Sequence, residues 1–357
     1  MLAGTASCVV LSVTLVAGLG GHYTTSLLRN VKASADGNFS GLGSPEPGAP
    51  INILVMGSDT RAGKNSKGHG DPNIISGARS DTTILLHVSG DRTRVTAVSI
   101  PRDSQVQIAS CRTAAGSTAG GYVGNFNEAF ELGGPGCTAK TVQELTGVPI
   151  NHYVVADFVG FKNMVQALGG VEVCLAKPVT DSYSHLNLPA GKSTVTGEQA
   201  LAFVRARHNL GDGSDISRIG RQQEFISSAI RKATSIGVLA NPSQLYDVLG
   251  AVTSSLTTDP GLASADALME LVVNVSDVSP GKITFVTVPW QANSDGSTVS
   301  WDPTQAPQLW SALKNDTAWP PTTSAKATKS SEAAGTTTPD ATSTAKPRTA
   351  AESICSS

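Results

Sequence analysis

The chain has 357 residues, of which 39% are hydrophobic and 15% are charged, and its formal net charge at pH 7 is −2. This length allows one large domain or two ordinary ones, with ample material for a core. The near-neutral charge argues against non-specific binding to nucleic acid, so we predict no nucleic-acid partner. Any anion site must then come from local clustering of arginine.

The first 21 residues carry no charged side chain. A run of this length can cross a bilayer as a helix. It also fits the apolar region of a signal peptide, with small residues at 17–20 as a cleavage zone. We predict an N-terminal transmembrane anchor or signal anchor at 1–21, and the sequence leaves open whether it is cleaved.

Composition divides the rest of the chain into three parts. Residues 22–50 include a stretch rich in Gly, Ser and Pro that predicts a flexible linker. Residues 317–357 are a Thr/Ser/Ala/Pro-rich tail without apolar periodicity, which predicts disorder. The folded catalytic unit is therefore expected at 51–316.

Strand and helix patterns alternate within this unit. The segment INILVMG predicts a buried strand, and TTILLHV and RVTAVSI flank a turn at 89–92, which predicts an antiparallel hairpin. Apolar spacing predicts helices in DFVGFKNMVQALGG, TGEQALAFVRAR, DISRIGRQQEFISSAIRKAT and ADALMELVVNV, with strands in GVEVCL and KITFVTVP. This alternation predicts an α/β fold, a mixed sheet covered by helices.

Two cysteines flank a glycine-rich segment, Cys111 and Cys137. Neither belongs to a CxxC pair or has a suitably spaced histidine, so a zinc site is poorly supported. We predict a disulfide, which would stabilise the fold by roughly 3 kcal/mol and indicate an oxidising compartment. Cys174 is equally compatible with a buried thiol and with a bridge to Cys355.

Opposite charges occur together at three strand ends. The pairs are Asp59 with Arg61, Arg79 with Asp81, and Arg102 with Asp103. Ligands of open α/β sheets bind at strand ends, so three such pairs favour one shared site. The alternative is three separate surface ion pairs, each of which would contribute little.

Two helices supply further arginines. Arg205 and Arg207 close one apolar helix. In the next helix Asp215, Arg218 and Gln222 recur at spacings of three and four, so they share a face that Arg221 flanks. A solvated helix face with an Asp215–Arg218 pair is the alternative.

The chemistry of these side chains predicts a pyrophosphate site. Arginine binds phosphate through a planar fork of donors, and several arginines in one pocket need a multiply charged anion between them. Asp59 and Asp81 suit such a site if a divalent cation bridges them to phosphate oxygens, which favours Mg²⁺, or Mn²⁺ as a substitute. Asp103 either accepts a proton from an attacking hydroxyl or only pairs with Arg102.

Taken in order, the segments NILVMGSDTR, ARSDTTILL, VSIPRDS, NEAFELGG, TGEQALAFVRAR and DISRIGRQQ resemble the LytR-CpsA-Psr (LCP) family of cell-wall glycopolymer ligases, in its actinobacterial type. The resemblance implies a three-layer α/β/α fold with a central mixed sheet and an apolar lipid pocket. It implies a membrane-anchored, single-pass protein of the cell membrane with an extracytoplasmic catalytic domain. It also implies transfer of a polyprenyl-pyrophosphate-linked glycopolymer, teichoic-type or arabinogalactan, to peptidoglycan through a phosphodiester.

The resemblance also assigns roles to individual residues. Asp59 and Asp81 resemble the family's magnesium-associated aspartates, and Asn127 falls where the family has an asparagine near the site. Arg79, Arg102 and Asp103 are the expected catalytic residues. The expected pyrophosphate-binding residues are Arg79, Arg102, Arg205, Arg207, Arg218, Arg221 and Gln222.

The apolar sides of three helices, at 158–168, 200–204 and 225–230, are candidates for the lipid pocket, although periodicity also fits a filled core. Two other functions compatible with the sequence are a polyprenyl-pyrophosphate pyrophosphatase, which would need the same residues, and a non-catalytic membrane-bound envelope regulator. No helix-turn-helix pattern supports a DNA-binding form of the regulator.

Overall fold

The structure is a computed structural model that describes residues 31–34, 37–39, 45–58, 79–206, 213–235, 242–276, 278–320, 342–343 and 347–352. The predicted N-terminal run at 1–21 lies outside these ranges. In the described part of the chain, no helix is both long enough and apolar enough to cross a membrane.

The strands are short apart from four at the centre of the fold. In chain order they are β1 (Lys32–Ala33), β2 (Ile51–Ser58), β3 (Ser80–Val88), β4 (Val95–Ile100), β5 (Gln105–Gln107), β6 (Cys111–Arg112), β7 (Thr118–Ala119), β8 (Val123–Asn125), β9 (His152–Asp157), β10 (Val171–Leu175), β11 (Val179–Asp181), β12 (Leu186–Leu188), β13 (Gly191–Val195), β14 (Leu256–Thr258), β15 (Ile283–Thr287), β16 (Trp290–Ala292), β17 (Val299–Trp301), β18 (Thr342–Ser343) and β19 (Arg348–Thr349).

Seven α-helices lie within the described ranges. They are α1 (Glu128–Thr146), α2 (Phe158–Ala167), α3 (Gly197–Arg205), α4 (Asp215–Ala233), α5 (Pro242–Ser255), α6 (Ala265–Ser276) and α7 (Gln305–Lys314).

An eight-stranded mixed sheet forms the centre, in the order β1-β14-β9-β2-β3-β4-β15-β19. Strands β2, β3 and β4 pair antiparallel, as the predicted hairpin requires, whereas β9 runs parallel to β2 and β15 runs parallel to β4. The predicted strand GVEVCL forms β10, but it pairs with β13 in a separate two-stranded sheet. The predicted α/β class with a mixed central sheet is confirmed.

Alternating side chains of the central strands pack against helices on both faces of the sheet. Leu54 and Met56 belong to a buried cluster that includes residues of α1 and α7. On the other face, Ile53 packs with α6, and Ile84 packs with Ile226 of α4. Helices α2 and α3 join β10 and β13 in a further apolar cluster beside α4. The molecule therefore has helical layers on either side of one sheet.

Both edge strands of the sheet come from segments in which the sequence indicates no ordered structure. Lys32–Ala33, within the predicted linker, pairs with β14, and Arg348–Thr349, within the predicted disordered tail, pairs with β15. The tail also docks through side chains, because Arg348 pairs with Glu224 at 2.9 Å and Arg231 donates to the Ala350 carbonyl. Backbone hydrogen bonds to an existing sheet edge need no apolar pattern, which explains why composition misses these strands.

Candidate active site

Four strand termini meet at one end of the sheet. Ser58, the last residue of β2, pairs with Ser80 on one side and with Asp157 of β9 on the other. In the antiparallel pair of β3 and β4, Thr83 lies opposite Ile100. Two residues further toward this end of the sheet, the same register brings Asp81 opposite Arg102. Pro101 follows β4 directly, so the chain turns there and carries Arg102 and Asp103 out of the sheet.

Arg102 is surrounded by carboxylates. Its Nη1 donates to Asp81 Oδ1, and its Nε lies 3.4 Å from Asp103 Oδ2 and 3.5 Å from Asp215 Oδ1. The guanidinium is 21% exposed. Burial lowers the pKa of Arg102, but the charges of the three carboxylates outweigh burial and raise that pKa above its ordinary value. Arg102 is therefore a permanently charged group held in one orientation.

Helix α4 brings a second buried arginine to the same place. Arg218 is 3% exposed, its Nη2 donates to Asp215 Oδ1 and lies 3.3 Å from the Asp81 carbonyl oxygen. Its Nε has no hydrogen-bond partner among the described residues. Gln222, one turn further on, donates to the Val204 carbonyl at 3.3 Å. The face that the sequence assigns to Asp215, Arg218 and Gln222 is therefore buried at the site and is not a solvated helix surface.

A cavity of about 740 Å³ opens beside these groups. Its polar end includes Asp81, Arg102, Arg218 and Gln222. Most of its wall is apolar and comes from α2, α3, α4 and α5, including Phe158, Phe161, Met164, Val165, Leu168, Leu201, Val204, Phe225, Ile226, Ala229, Ile230, Val248 and Val252. The predicted helix sides therefore line a cavity. An arginine cluster and an apolar cavity thus form one continuous site.

The remaining predicted arginines occupy different positions. Arg205 ends α3 and lines the cavity, with its guanidinium carbon 4.6 Å from the centre of the Phe158 ring. Arg221 is buried and donates to the Ala206 carbonyl, and it is not among the cavity-lining residues. Arg79 is 53% exposed and pairs with Glu131 of α1 at 2.8 Å, also away from the cavity lining. Asp59, Arg61 and Arg207 lie outside the described residues.

Asn127 acts through its backbone. It precedes α1, is 6% exposed, and its N–H donates to the Arg102 carbonyl at 3.1 Å. The neighbouring Phe126 N–H donates to the Ser104 carbonyl at 2.9 Å, and Trp301 Nε1 donates to Ser104 Oγ at 3.1 Å. These bonds hold the turn that carries Arg102 and Asp103.

Two further residues at the site are not among the sequence candidates. Gln223 is 6% exposed, and its amide contacts Ser99 Oγ at 3.0 Å and Thr287 Oγ1 at 3.3 Å, which fixes α4 against the ends of β4 and β15. Asp157 lines the cavity, and its Oδ1 accepts from the Gly160 N–H at 2.7 Å as the N-cap of α2. An aspartate between a strand and a helix signals a cap, which is the only hint of Asp157 in the sequence.

Cysteine pairing is established in part. Cys111 and Cys137 form a disulfide that joins β6 to α1. Cys174 is also disulfide-bonded, so it is not the buried thiol that the sequence allows. Its partner lies outside the described residues, as do both remaining cysteines, Cys8 and Cys355.

The donors for a metal ion are described only in part. Asp81 places one carboxylate at the polar end of the cavity, and Asp59 directly follows the last described residue of β2. Within the described ranges, no group of three or more His, Cys, Asp or Glu side chains is arranged around a common point. Mg²⁺ is commonly held by one or two carboxylates together with substrate phosphates, and Asp81 beside the arginines fits that donor set.

Comparison with known proteins identifies the family. Residues 19–315 match the LytR_cpsA_psr family model, so the chain belongs to the LytR-CpsA-Psr family. It is 34% identical over 274 residues to the probable cell wall biosynthesis protein LcpB of Corynebacterium glutamicum, covering 74% of this chain and 61% of that protein. It is 32% identical over 210 residues to the polyisoprenyl-teichoic acid–peptidoglycan teichoic acid transferase TagU of Enterococcus faecalis, covering 59% of this chain and 61% of that one.

A solved structure shows the same fold. The LytR-Csp2A-Psr enzyme from Actinomyces oris superposes with a TM-score of 0.61 at 23% identity, covering 80% of this chain and 96% of the other. The chain spans about three-fifths of the length of the curated relatives it matches.

Proposed function

We propose that the protein transfers a glycopolymer from a polyprenyl-pyrophosphate carrier to peptidoglycan. The observation that carries this proposal is the joining of an arginine cluster to an apolar cavity of about 740 Å³. A polyprenyl pyrophosphate has the same two parts, an anionic head and a long apolar chain. The relative named as a teichoic acid–peptidoglycan transferase supports this substrate class and this acceptor.

The arginines bind the pyrophosphate and stabilise the charge that develops on it. Arg102 and Arg218 each present a fork of donors, and the nearby carboxylates hold both forks in place before substrate arrives. An acceptor hydroxyl oxygen attacks the phosphorus that bears the glycopolymer. The bond to the bridging oxygen breaks, polyprenyl phosphate leaves, and a phosphodiester to peptidoglycan remains. Arg102 and Arg218 neutralise the leaving phosphate.

Asp103 has a supporting role in this proposal. Its carboxylate lies 3.4 Å from Arg102 Nε, and its backbone carbonyl accepts from the Val299 N–H at 3.1 Å. These contacts favour the second of its two predicted roles, holding Arg102, over that of a base. The proton of the acceptor hydroxyl is then released to solvent or to another group.

Mg²⁺ belongs to the proposal as a cofactor, with Mn²⁺ as a substitute. Asp81, together with Asp59, would hold the ion against pyrophosphate oxygens, where it would lower the cost of negative charge on the leaving group. Asp81 also accepts from Arg102, so the same carboxylate would contact both the metal ion and the arginine cluster.

The protein is further proposed to act at the outer face of the cell membrane. The uncharged run at 1–21 supplies a candidate single-pass anchor. The Cys111–Cys137 disulfide and the bonded Cys174 support an oxidising, extracytoplasmic setting for the catalytic domain.

The test uses the full chain in detergent with a polyprenyl-pyrophosphate-linked glycopolymer, peptidoglycan and Mg²⁺. We expect Arg102→Ala and Arg218→Ala each to lower the transfer rate by about 100-fold or more, because each removes a positioned donor from the charged transition state. Arg112→Ala, which changes the exposed residue at the end of β6, is the matched control and should keep full activity. A chelator should also stop transfer.

Three results would reject parts of this proposal. Retained transfer in both arginine variants would remove the assigned roles of Arg102 and Arg218. Release of phosphorylated glycopolymer without attachment would indicate a pyrophosphatase that uses water as acceptor. Binding of the lipid substrate without any turnover would indicate a non-catalytic regulator.

A further inference from the structure

A small exposed platform lies next to the turn that carries Arg102 and has no role in the proposed reaction. It consists of Tyr122, Val123 and Glu128, and we call it the Tyr122 platform. Tyr122 is 42% exposed and Val123 is 65% exposed, both unusually high for large hydrophobic residues in this structure. None of the three residues lines the apolar cavity.

The ring of Tyr122 is held in a fixed position. Its hydroxyl donates to Glu128 Oε2 at 3.1 Å, and Glu128 Oε1 accepts from the Asn125 N–H at 3.0 Å. The Tyr122 carbonyl accepts from the Ile108 N–H at 2.9 Å. A Cβ on Gly124 would lie 2.8 Å from Tyr122 Cε2 and 2.7 Å from Glu128 Oε2, so only glycine leaves room for this arrangement. The platform is therefore preorganised.

The platform is joined directly to the turn that carries Arg102. Strand β8, which begins at Val123, pairs with β5, so that Asn125 lies opposite Gln105. The next two N–H groups, of Phe126 and Asn127, donate to the carbonyls of Ser104 and Arg102. The platform and Arg102 are therefore connected through β8 and the residues that follow it, and a molecule bound on the platform would lie on the same side of the Arg102 turn as this connection.

We propose that the Tyr122 platform binds the glycan strand of the acceptor. This inference rests on the proposed function, because it names where the second substrate of that reaction binds. Aromatic rings pack against the C–H faces of sugars, and carboxylates accept hydrogen bonds from sugar hydroxyl and N-acetyl N–H groups. The platform supplies one aromatic ring, that of Tyr122, and one carboxylate, that of Glu128, held together by a hydrogen bond.

The charge and size of the platform favour a glycan over other partners. Glu128 makes the surface acidic, whereas the charge of the nearby Glu131 is paired with Arg79, and an acidic surface disfavours binding to an anionic membrane. Burial and both glutamates raise the pKa of Tyr122, so its hydroxyl stays protonated and its ring neutral. Its two exposed apolar side chains form a small apolar surface compared with the roughly 800 Å² that each partner of a stable protein complex buries.

The experiment is a binding titration that needs no turnover. The full chain in detergent is titrated with a soluble N-acetylated glycan, tetra-N-acetylchitotetraose, and separately with a polyprenyl pyrophosphate. We expect Tyr122→Ala to weaken glycan binding by about three- to ten-fold, the range of one aromatic packing contact, and to leave polyprenyl-pyrophosphate binding unchanged. Tyr122→Phe keeps the ring and should keep most of the glycan affinity.

The matched control is Tyr183→Ala. Tyr183 is 81% exposed but lines the apolar cavity, so its removal should not change glycan binding. A second variant guards against misfolding: Val123→Asp changes a strongly exposed residue and should also weaken glycan binding, because it brings a charge under the sugar face. Glycan affinity unchanged in both Tyr122→Ala and Val123→Asp would overturn the inference, as would an equal loss in Tyr183→Ala.

The outcomes also separate this inference from the proposed function. Glycan binding that depends on Tyr122 in a protein that shows no transfer would keep the platform and reject the transferase. Transfer without any measurable effect of Tyr122→Ala on glycan binding or on the KM for peptidoglycan would keep the transferase and reject the platform.

Discussion

Arg102 shows how a single side chain is prepared for a substrate before the substrate binds. Asp81, Asp103 and Asp215 neutralise its charge from three sides and raise its pKa. An arginine held in this way loses little conformational freedom when a pyrophosphate replaces part of the carboxylate contact. Removing one of these carboxylates would loosen the guanidinium. The three aspartates therefore assist pyrophosphate binding by orienting Arg102.

Arg79 shows the opposite arrangement, because an acidic residue holds it away from the cavity lining. Its Nε donates to Glu131 Oε2 at 2.8 Å, and both side chains are partly exposed, at 53% and 33%. If Arg79 binds pyrophosphate as the family resemblance implies, it must leave Glu131 to do so. In that case Glu131 would compete with the substrate for Arg79.

We expect Glu131→Gln to lower the KM for the lipid substrate by up to about five-fold, since an exposed ion pair contributes at most about 1 kcal/mol. The KM for the lipid substrate is measured by steady-state kinetics of the full chain. Glu144→Gln is the matched control, because Glu144 also lies on α1 and forms a pair with Lys140 at 3.9 Å. An unchanged or raised KM in Glu131→Gln would contradict the competition between Glu131 and the substrate for Arg79.

At the level of elements, the site depends on where α4 meets the sheet. Gln223 fixes that position through contacts with Ser99 and Thr287, while Arg218 and Gln222, one helical turn apart on the same face, reach the cavity. Apolar periodicity predicts α4, but it leaves open whether Ile226 and Ile230 line a pocket or fill a core. Both side chains line the cavity, because the cavity itself is apolar over most of its wall.

The limits of prediction from the sequence follow from local chemistry. The strands β2, β3, β4 and β15 were predictable because each is a short run rich in apolar and β-branched residues. Helix α1 was missed, since Gly133, Gly134 and Pro135 interrupt its pattern and two of these residues have non-helical dihedral angles. Convergence of Asp81, Arg102, Arg205, Arg218 and Gln222 was predictable from charge at strand and helix ends. The Arg79–Glu131 pair was not, because nothing in the sequence indicates which carboxylate an exposed arginine contacts.

The disulfide between β6 and α1 closes the segment that carries the Tyr122 platform. Cys111 and Cys137 are 26 residues apart, so loop closure predicts a contribution of about 3.5 kcal/mol to the free energy of unfolding. We expect Cys111→Ala with Cys137→Ala to lower the Tm by roughly 10 °C, measured by thermal unfolding. The Tm of each single variant should fall as far as that of the double variant, because either substitution removes the whole disulfide. A Tm within a degree of the wild type would contradict this account.

At the level of the whole molecule, the two faces of the sheet have separate tasks. One face packs α1 and α7 into a filled core, whereas the other face and the helices α2 to α5 leave the cavity. The far end of the sheet is fixed by a polar network in which His87 contacts Asn52 Oδ1 at 2.8 Å and Asp316 Oδ1 at 3.1 Å. The His87 network and the arginine cluster therefore lie at opposite ends of the central strands.

This network predicts a specific loss of stability in acid. Burial lowers the pKa of His87 below its ordinary value near 6.5, although the Asp316 carboxylate acts in the other direction. The neutral ring is favoured in the fold, so its contribution is complete above the unfolded pKa and is lost as the pH falls through the folded pKa. We expect the Tm of His87→Gln to fall less than that of the wild type between pH 7 and pH 5.

The control for this pH series is His185→Gln, which changes an exposed histidine in the turn after β11. Its Tm should follow the wild-type curve over the whole range. Parallel curves for the wild type and His87→Gln would show that His87 does not titrate on unfolding, and the assigned role of burial would then be wrong.

The central claim is that pyrophosphate binds at Arg102 and Arg218 while the prenyl chain enters the apolar cavity. The most direct measurement is photo-crosslinking of the full chain with a prenyl pyrophosphate that carries a diazirine at the end of its chain, followed by peptide mass spectrometry. We expect labels in peptides covering 158–168, 225–233 and 248–252, and a strong loss of labelling in Arg218→Ala. Labels concentrated on α7, on the other face of the sheet, or labelling that is equal in Arg218→Ala and the wild type, would contradict the account.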